Sequence, residues 1–173
     1  RQRQMCIRDR LYEESMFDGQ KVSKSRIITS VDYSMVSMEA FEIYATNHDI
    51  HVMDFVLKLD AYSYYMMNLL DYLIGNTDRH WGNWGFLVDN RTNQPVRLFD
   101  LMDLNQTFLA YDTPDGANCM TTGNRKMSQR EAAVEAVKNI GLNQKDEIKD
   151  EWFKGREKER EMFWCRFGIL KEQ

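Results

Sequence analysis

Cysteine is scarce in this chain, and its spacing builds no framework. Cys6, Cys119 and Cys165 are spread over 173 residues with no Cys-x-x-Cys pair and no paired Cys/His spacing. Neither a disulfide scaffold nor a zinc site is implied. The expected state is three reduced thiols in a cytoplasmic protein. No apolar run approaches the ~20 residues that span a bilayer, and no signal-peptide pattern is visible. Basic charge is not in excess: the formal net charge is -4, which argues against a nucleic-acid binder of the basic kind. Glycines number nine, and the closest pair, Gly82 and Gly85, are three apart, so no glycine-rich phosphate loop is written here. There is no internal repeat.

What is present is the composition of one globular domain. Hydrophobic residues make up 43% and charged residues 29%, proportions of a packed rather than a disordered chain. Aromatics at 12% support a well-filled core. Charge is uneven: residues 11–123 hold 16 Asp and Glu against 7 Lys and Arg, whereas residues 124–173 hold 10 against 12. An acidic segment suits a magnesium site, and equally a solvated acidic surface.

The first ten residues, RQRQMCIRDR, carry four arginines and little that packs. They resemble translated sequencing-adapter sequence and are set aside as a non-native tail, a genuine basic tail being the alternative. The domain proper is expected over residues 11–173. Residues 11–36 read as an irregular entry, with a short β-rich piece at 26–31. Ser37 is a helix cap for Met38 to about Thr46, with Phe41 and Ala45 on one face; Asn47-His48-Asp49 breaks that helix. His48 and His51 have no third ligand nearby and read as surface residues. Over 51–74, Val52, Val56, Leu59, Tyr62, Met66, Leu69 and Leu73 recur at steps of three or four, which predicts one long helix with a continuous apolar stripe. Tyr64, Tyr65, Met66 and Met67 belong to its packing rather than to a ligand box.

That helix runs into the stretch around which the chain is organised: Asn76-Thr77-Asp78-Arg79-His80-Trp81-Gly82-Asn83, followed by Asp103-Leu104-Asn105. An aspartate and an asparagine five apart, then a strand pair, then a second aspartate, supply the parts of a phosphoryl-transfer site. Magnesium takes hard oxygen ligands and usually one or two protein carboxylates. An attacking hydroxyl needs a carboxylate to orient it and accept its proton. Asp78 is therefore read as the base, and Asn83 and Asp103 as ligands of the magnesium that accompanies ATP. Residues 84–89 and 95–102 form a predicted hairpin turned at 90–93, which brings Asn83 beside Asp103.

The string IGNTDRHWGNWGFLVD followed by VRLFDLMDLN resembles the HipA-like serine/threonine kinases, over roughly residues 20–125. More distantly it is similar to the DRHxxN loop of phosphatidylinositol kinases. The resemblance implies an α+β, mostly α architecture: the C-terminal lobe of a protein-kinase-like fold, with one β-hairpin at the active site. Catalytic aspartate, metal-binding asparagine and the aspartate after the next strand match Asp78, Asn83 and Asp103. Asp100 competes for the last role. Residues 100 and 103 differ by an odd number, so in a regular strand they face opposite sides. Asp103 is favoured, because Asn105 tolerates the left-handed conformation and makes Asp-Leu-Asn a stand-in for Asp-Phe-Gly. Asp100 stands where the family often has proline. Arg79 is expected to pair with a carboxylate or phosphate, His80 to brace the loop, and Trp81 and Trp84 to cover it.

Residues 104–127 read as a long loop at the position of a kinase activation segment, with Tyr111, Thr113, Thr121 and Thr122 as candidate phosphosites. Ser128 and Glu131 have capping-box spacing, Gly141 ends that helix, Asn143–Asp150 suggests a short polar helix, and 151–170 a final one. The family's N-terminal lobe, with its glycine loop and lysine, is not recognised here; Lys21 and Lys24 lack a strand setting. ATP binding by this chain alone is expected to be weak, and kinase activity little or none. Partners implied are a protein substrate and an N-terminal-lobe or antitoxin-like protein, with no nucleic acid or membrane contacted. Two other readings stay open: a lipid or small-molecule kinase lobe, and a non-catalytic kinase-like binding module.

Overall fold

The computed structural model describes residues 12–108, 113–142 and 147–173. The basic tail at 1–10, the candidate phosphosite Tyr111 and the start of the polar helix expected from Asn143 lie outside the described residues. The order of elements is β1 (Tyr12–Phe17), β2 (Gln20–Ser25), β3 (Tyr33–Ser37), α1 (Met38–Asn47), α2 (Val52–Ile74), β4 (Gly85–Asp89), β5 (Gln94–Leu98), α3 (Gln129–Ile140), a 3-10 turn (Asp150–Phe153) and α4 (Glu157–Lys171). The architecture is α+β, with a two-stranded antiparallel β1–β2 sheet and a three-stranded antiparallel sheet ordered β3-β4-β5. No helix among the described residues is long and apolar enough to cross a membrane.

Strand content exceeds the single expected hairpin, and Lys21 and Lys24, expected to lack a strand setting, both lie in β2. β1 and β2 pair Tyr12 with Ser25 through Phe17 with Gln20, closed by Asp18 and Gly19 at φ 50 and 74. Asp-Gly with both residues left-handed is the turn whose twist suits a hairpin. The β-rich piece at 26–31 forms no strand, and Ile27 and Val31 are exposed. Instead Tyr33–Ser37 joins the sheet against β4, pairing Ser37 with Gly85. Gly85 is there because nothing larger fits: a Cβ would lie 2.0 Å from the Val36 carbonyl oxygen.

The long helix is present, but it is not one stripe. Asp60 has φ -156 and ψ 64, so α2 is two helices joined at a kink. Its carboxylate accepts from Ser63 N at 3.2 Å, starting the second half, and from Leu98 N at 3.1 Å, fastening the kink to the end of β5. The kink shifts the phase of the helix. After it, the buried positions are Tyr64, Tyr65, Met67, Asn68, Leu69, Asp71, Tyr72 and Leu73, a face broad enough to pack against α3, α4 and the sheet at once. Burying each large apolar side chain there is worth about 1.5–3 kcal/mol. Phe41 of α1 packs with Phe55 and Phe86 in tilted and edge-to-face contacts at centroid distances of 4.7–5.6 Å.

The caps agree with the sequence. Ser37 Oγ accepts from Ala40 N, and Ser128 and Glu131 form the reciprocal capping box of α3. The C-terminal helix is shorter than 151–170, because the chain turns at Gly155 (φ 74) before α4 begins.

Candidate active site

The second half of α2 ends at Gly75, left-handed at φ 62, and Asn76 N reaches back to the Asp71 carbonyl at 2.9 Å. This left-handed cap delivers the loop 76–84 from a rigid support. Asn76 is fully buried. Its Nδ2 donates to Asp71 Oδ1 at 2.9 Å, its Oδ1 accepts from Asp78 N at 3.2 Å, and its carbonyl accepts from the Gln129 amide. The loop is thus tied to α2 below and α3 behind.

Arg79 is the centre of the arrangement. Its Nε donates to Asp71 Oδ2 at 2.8 Å and its Nη2 to Asp71 Oδ1 at 3.0 Å. Both side chains are nearly closed to solvent, at 3% and 4% exposure. Nη1 donates to the Asn83 carbonyl at 3.0 Å and the Met102 carbonyl at 2.8 Å. The carboxylate expected to pair with Arg79 is therefore on α2, eight residues upstream. Asp71, Asn76 and Gln129 were not singled out from the sequence. The signal was there for Asp71 and Asn68: polar side chains on a buried helix face require partners.

The three expected site residues fall around this framework. Asp78 is half-buried, and its carbonyl accepts from His80 N and from the Asn83 amide. Asn83 is buried, with Oδ1 accepting from His80 N at 3.1 Å; a carbonyl oxygen keeps a second lone pair for another partner. Asp103 follows Met102, whose carbonyl is held by Arg79. Among the described residues, no hydrogen bond or ion pair engages the carboxylate of Asp78 or Asp103. Asp100 differs: Arg97 Nη1 donates to it at 2.6 Å.

Two details depart from expectation. β5 ends at Leu98, so Asp100 and Asp103 lie beyond the strand and the alternation of faces does not govern them. The left-handed residue is Asp103 itself, at φ 53, and not Asn105. His80 is exposed, and its Nδ1 accepts from Gly82 N at 3.0 Å, a bracing contact within the loop. Trp81 Nε1 donates to the Met120 carbonyl at 2.8 Å, and Trp84 is buried against Tyr64.

The segment after Asp103 contains no helix or strand among its described residues up to Met127, yet it is anchored. Tyr72 Oη donates to the Pro114 carbonyl at 2.7 Å, and Arg166 Nη2 to the Thr113 carbonyl at 2.8 Å. Arg125 grips Glu135 at 3.0 and 3.1 Å. Thr121 and Thr122 are enclosed at 0% and 2% exposure, bonded to Asn68 and to the Arg125 carbonyl; neither hydroxyl is presented for modification, whereas Thr113 is exposed. Burial pushes the Cys119 thiol up and the Tyr72 phenol up to about 12.

With this geometry in view, the comparisons bear on the fold. No family model matches the sequence, and no curated protein matches it. Among solved structures, the chain is similar to the Helicobacter pylori proinflammatory kinase CtkA, with a TM-score of 0.62 and 12% identity over 95% of this chain and 76% of that one. The fold is kinase-like. At this identity the likeness speaks for the fold alone, and the chemistry has to come from the side chains just described.

Hard oxygen donors are what those side chains offer. Among the described residues no group of three or more His, Cys, Asp or Glu forms a metal cage. Magnesium needs no such cage, since it is held by one or two carboxylates with the rest of its shell from phosphates and water. Asn83 Oδ1 and the unengaged Asp103 carboxylate fit that demand.

Proposed function

We propose that this chain is the catalytic lobe of a HipA-like kinase, transferring the γ-phosphoryl group of ATP to a serine or threonine hydroxyl of a protein. The observation that carries the proposal is a pair of unengaged carboxylates, Asp78 and Asp103, beside a loop that Asn76, Arg79 and Asn83 fasten in place. Side chains that serve the fold are bonded to it; these two are left for something else.

In this role Asp78 orients the acceptor hydroxyl and takes its proton as the new O–P bond forms and the bond to the β-phosphate oxygen breaks, releasing ADP. Asn83 and Asp103 would hold the magnesium, which neutralises charge on the phosphates when bound. Asn83 has a second task, because its amide closes the loop on the Asp78 carbonyl and so fixes where the base stands. Arg79 holds that loop against the segment carrying Asp103. The anchored segment 113–127 lies in the chain where kinases receive their substrate.

Since little or no transfer is expected from this chain alone, the test is label transfer from γ-labelled ATP at millimolar magnesium, to a generic protein acceptor, by a version joined to a nucleotide-binding N-terminal lobe, as wild type and as Asp78→Asn. A positioned general base contributes roughly 10²–10⁴-fold, so a loss of that size is expected, with label on Ser or Thr. Equal, measurable rates in the two proteins remove Asp78 from the role, and ATP binding without transfer by either favours a non-catalytic binding module. Label appearing only on a lipid or small-molecule acceptor favours that acceptor class instead.

A further inference from the structure

Asp103 is held in a conformation that a residue with a Cβ rarely adopts, φ 53, at the position where the proposed chemistry needs a ligand. Backbone of this kind persists only where its surroundings impose it. Neither a helix nor a strand does so here, since β5 stops at Leu98 and no helix begins before Gln129 among the described residues. What grips the peptide immediately before Asp103 is Arg79, through the Met102 carbonyl at 2.8 Å.

We infer that Arg79, set in place by Asp71, is a positioning residue that fixes the Met102–Asp103 peptide and so presents the Asp103 carboxylate beside Asn83. This rests on the phosphotransfer reading given above. One nitrogen, Nη1, bonds both the Asn83 and the Met102 carbonyls, so these two backbone atoms lie no farther apart than the two bonds allow. The direction of Nη1 is not adjustable. The guanidinium is planar, and its other edge is locked by two bonds to Asp71, a fork geometry that lysine cannot reproduce. Asp71 sits in the last turn of α2 and is further held by Asn76. Helix, loop and metal-ligand segment are therefore joined through one side chain that is 3% exposed.

A buried pair with a purely structural duty would leave the metal site alone when softened conservatively. The experiment uses the full chain with Mn²⁺·ATP as probe, following free manganese by electron paramagnetic resonance and Asp103 by its Cα and Cβ chemical shifts. For Arg79→Lys, Mn²⁺·ATP affinity is expected to fall roughly 10–100-fold, the usual loss when an outer partner of a metal ligand is changed. The Asp103 shifts should leave their left-handed values while those of α3 and α4 stay. Asp71→Asn keeps the shape, breaks the fork, and should act in the same direction. If Arg79→Lys binds Mn²⁺·ATP like wild type with Asp103 shifts unchanged, the inference is overturned and the phosphotransfer reading stands. If wild type itself shows no binding at Asp78, Asn83 and Asp103, that reading fails, and the metal-free Asp103 shifts of the variants still decide the positioning role. Should neither variant fold, wild type decides: the Arg79 Nε–H resonance moves on adding Mg²⁺·ATP if the coupling exists, and stays if it does not.

Discussion

Asp71→Ala is the substitution with the largest consequence that nobody would choose from its distance to the chemistry. It removes the two bonds from Arg79 and one from Asn76. It leaves a guanidinium at 3% exposure with no carboxylate. Removing one partner of a buried ion pair costs about 3–5 kcal/mol. For a chain of this size each kcal/mol shifts the thermal midpoint by roughly 2–4 °C, so a fall of roughly 6–20 °C is expected. Thermal unfolding followed by circular dichroism reads that shift, and urea unfolding reads the free-energy loss. The sharper form is a double-mutant cycle with Arg79→Met. Since the second change removes the stranded charge, the double variant should be less destabilised than the two singles added together, by roughly 0.5–3 kcal/mol. A single-variant cost below about 1 kcal/mol, or an additive cycle, would refute the reasoning: the pair would not be a dry, coupled ion pair.

Three further outcomes follow from other parts of the fold. Gly85→Ala places a methyl 2.0 Å from the Val36 carbonyl oxygen; parting β3 from β4 to fit it should cost about 3 kcal/mol or more, read as lost urea stability and lost protection of the Phe86 and Val88 amides. Asp60→Ala removes the cap of the second half of α2 and the bond to Leu98 N, a loss of about 1–3 kcal/mol that Asp60→Asn should partly restore. The Tyr72 phenol is pushed up by burial from 10.0 to about 12. A raised folded value means its stability contribution is intact below pH 10 and is lost as pH climbs towards 12. Alkaline unfolding should therefore steepen in that window, and Tyr72→Phe should flatten it; an identical profile in both proteins would contradict the burial.

Local chemistry made part of this molecule legible in the sequence. Caps depend on a few adjacent residues, so Ser37, Ser128 with Glu131, and Gly141 were readable. The helix leading into the loop and the hairpin after it were likewise written in periodicity and turn residues. The kink at Asp60 was not, because its cause is a bond to Leu98, 38 residues away. β3 was missed for the same reason: Tyr33–Ser37 becomes a strand by pairing with β4, whereas the more β-prone 26–31 has nothing to pair with. β1–β2 carries a polar pattern without a buried face, so it read as an irregular entry, and the one local signal it offered, its Asp-Gly turn, was passed over. At the site, Asp78, Asn83 and Asp103 stood out by residue type and order. Arg79 was expected to find a carboxylate or phosphate, but its partner Asp71 and the supporting Asn76 and Gln129 were not legible, since spacing alone cannot say which buried carboxylate an arginine will find.

The central claim is that Asp78, Asn83 and Asp103 form one nucleotide–metal site. The most direct measurement is amide NMR of the wild-type chain titrated with Mn²⁺·ATP, whose paramagnetism broadens only nearby resonances and remains readable when binding is weak. Broadening centred on residues 78–83 and 102–105, abolished by Asp103→Asn and retained in Asp100→Asn, is the expected result. Broadening elsewhere, or at this loop but unchanged by Asp103→Asn, would contradict the claim.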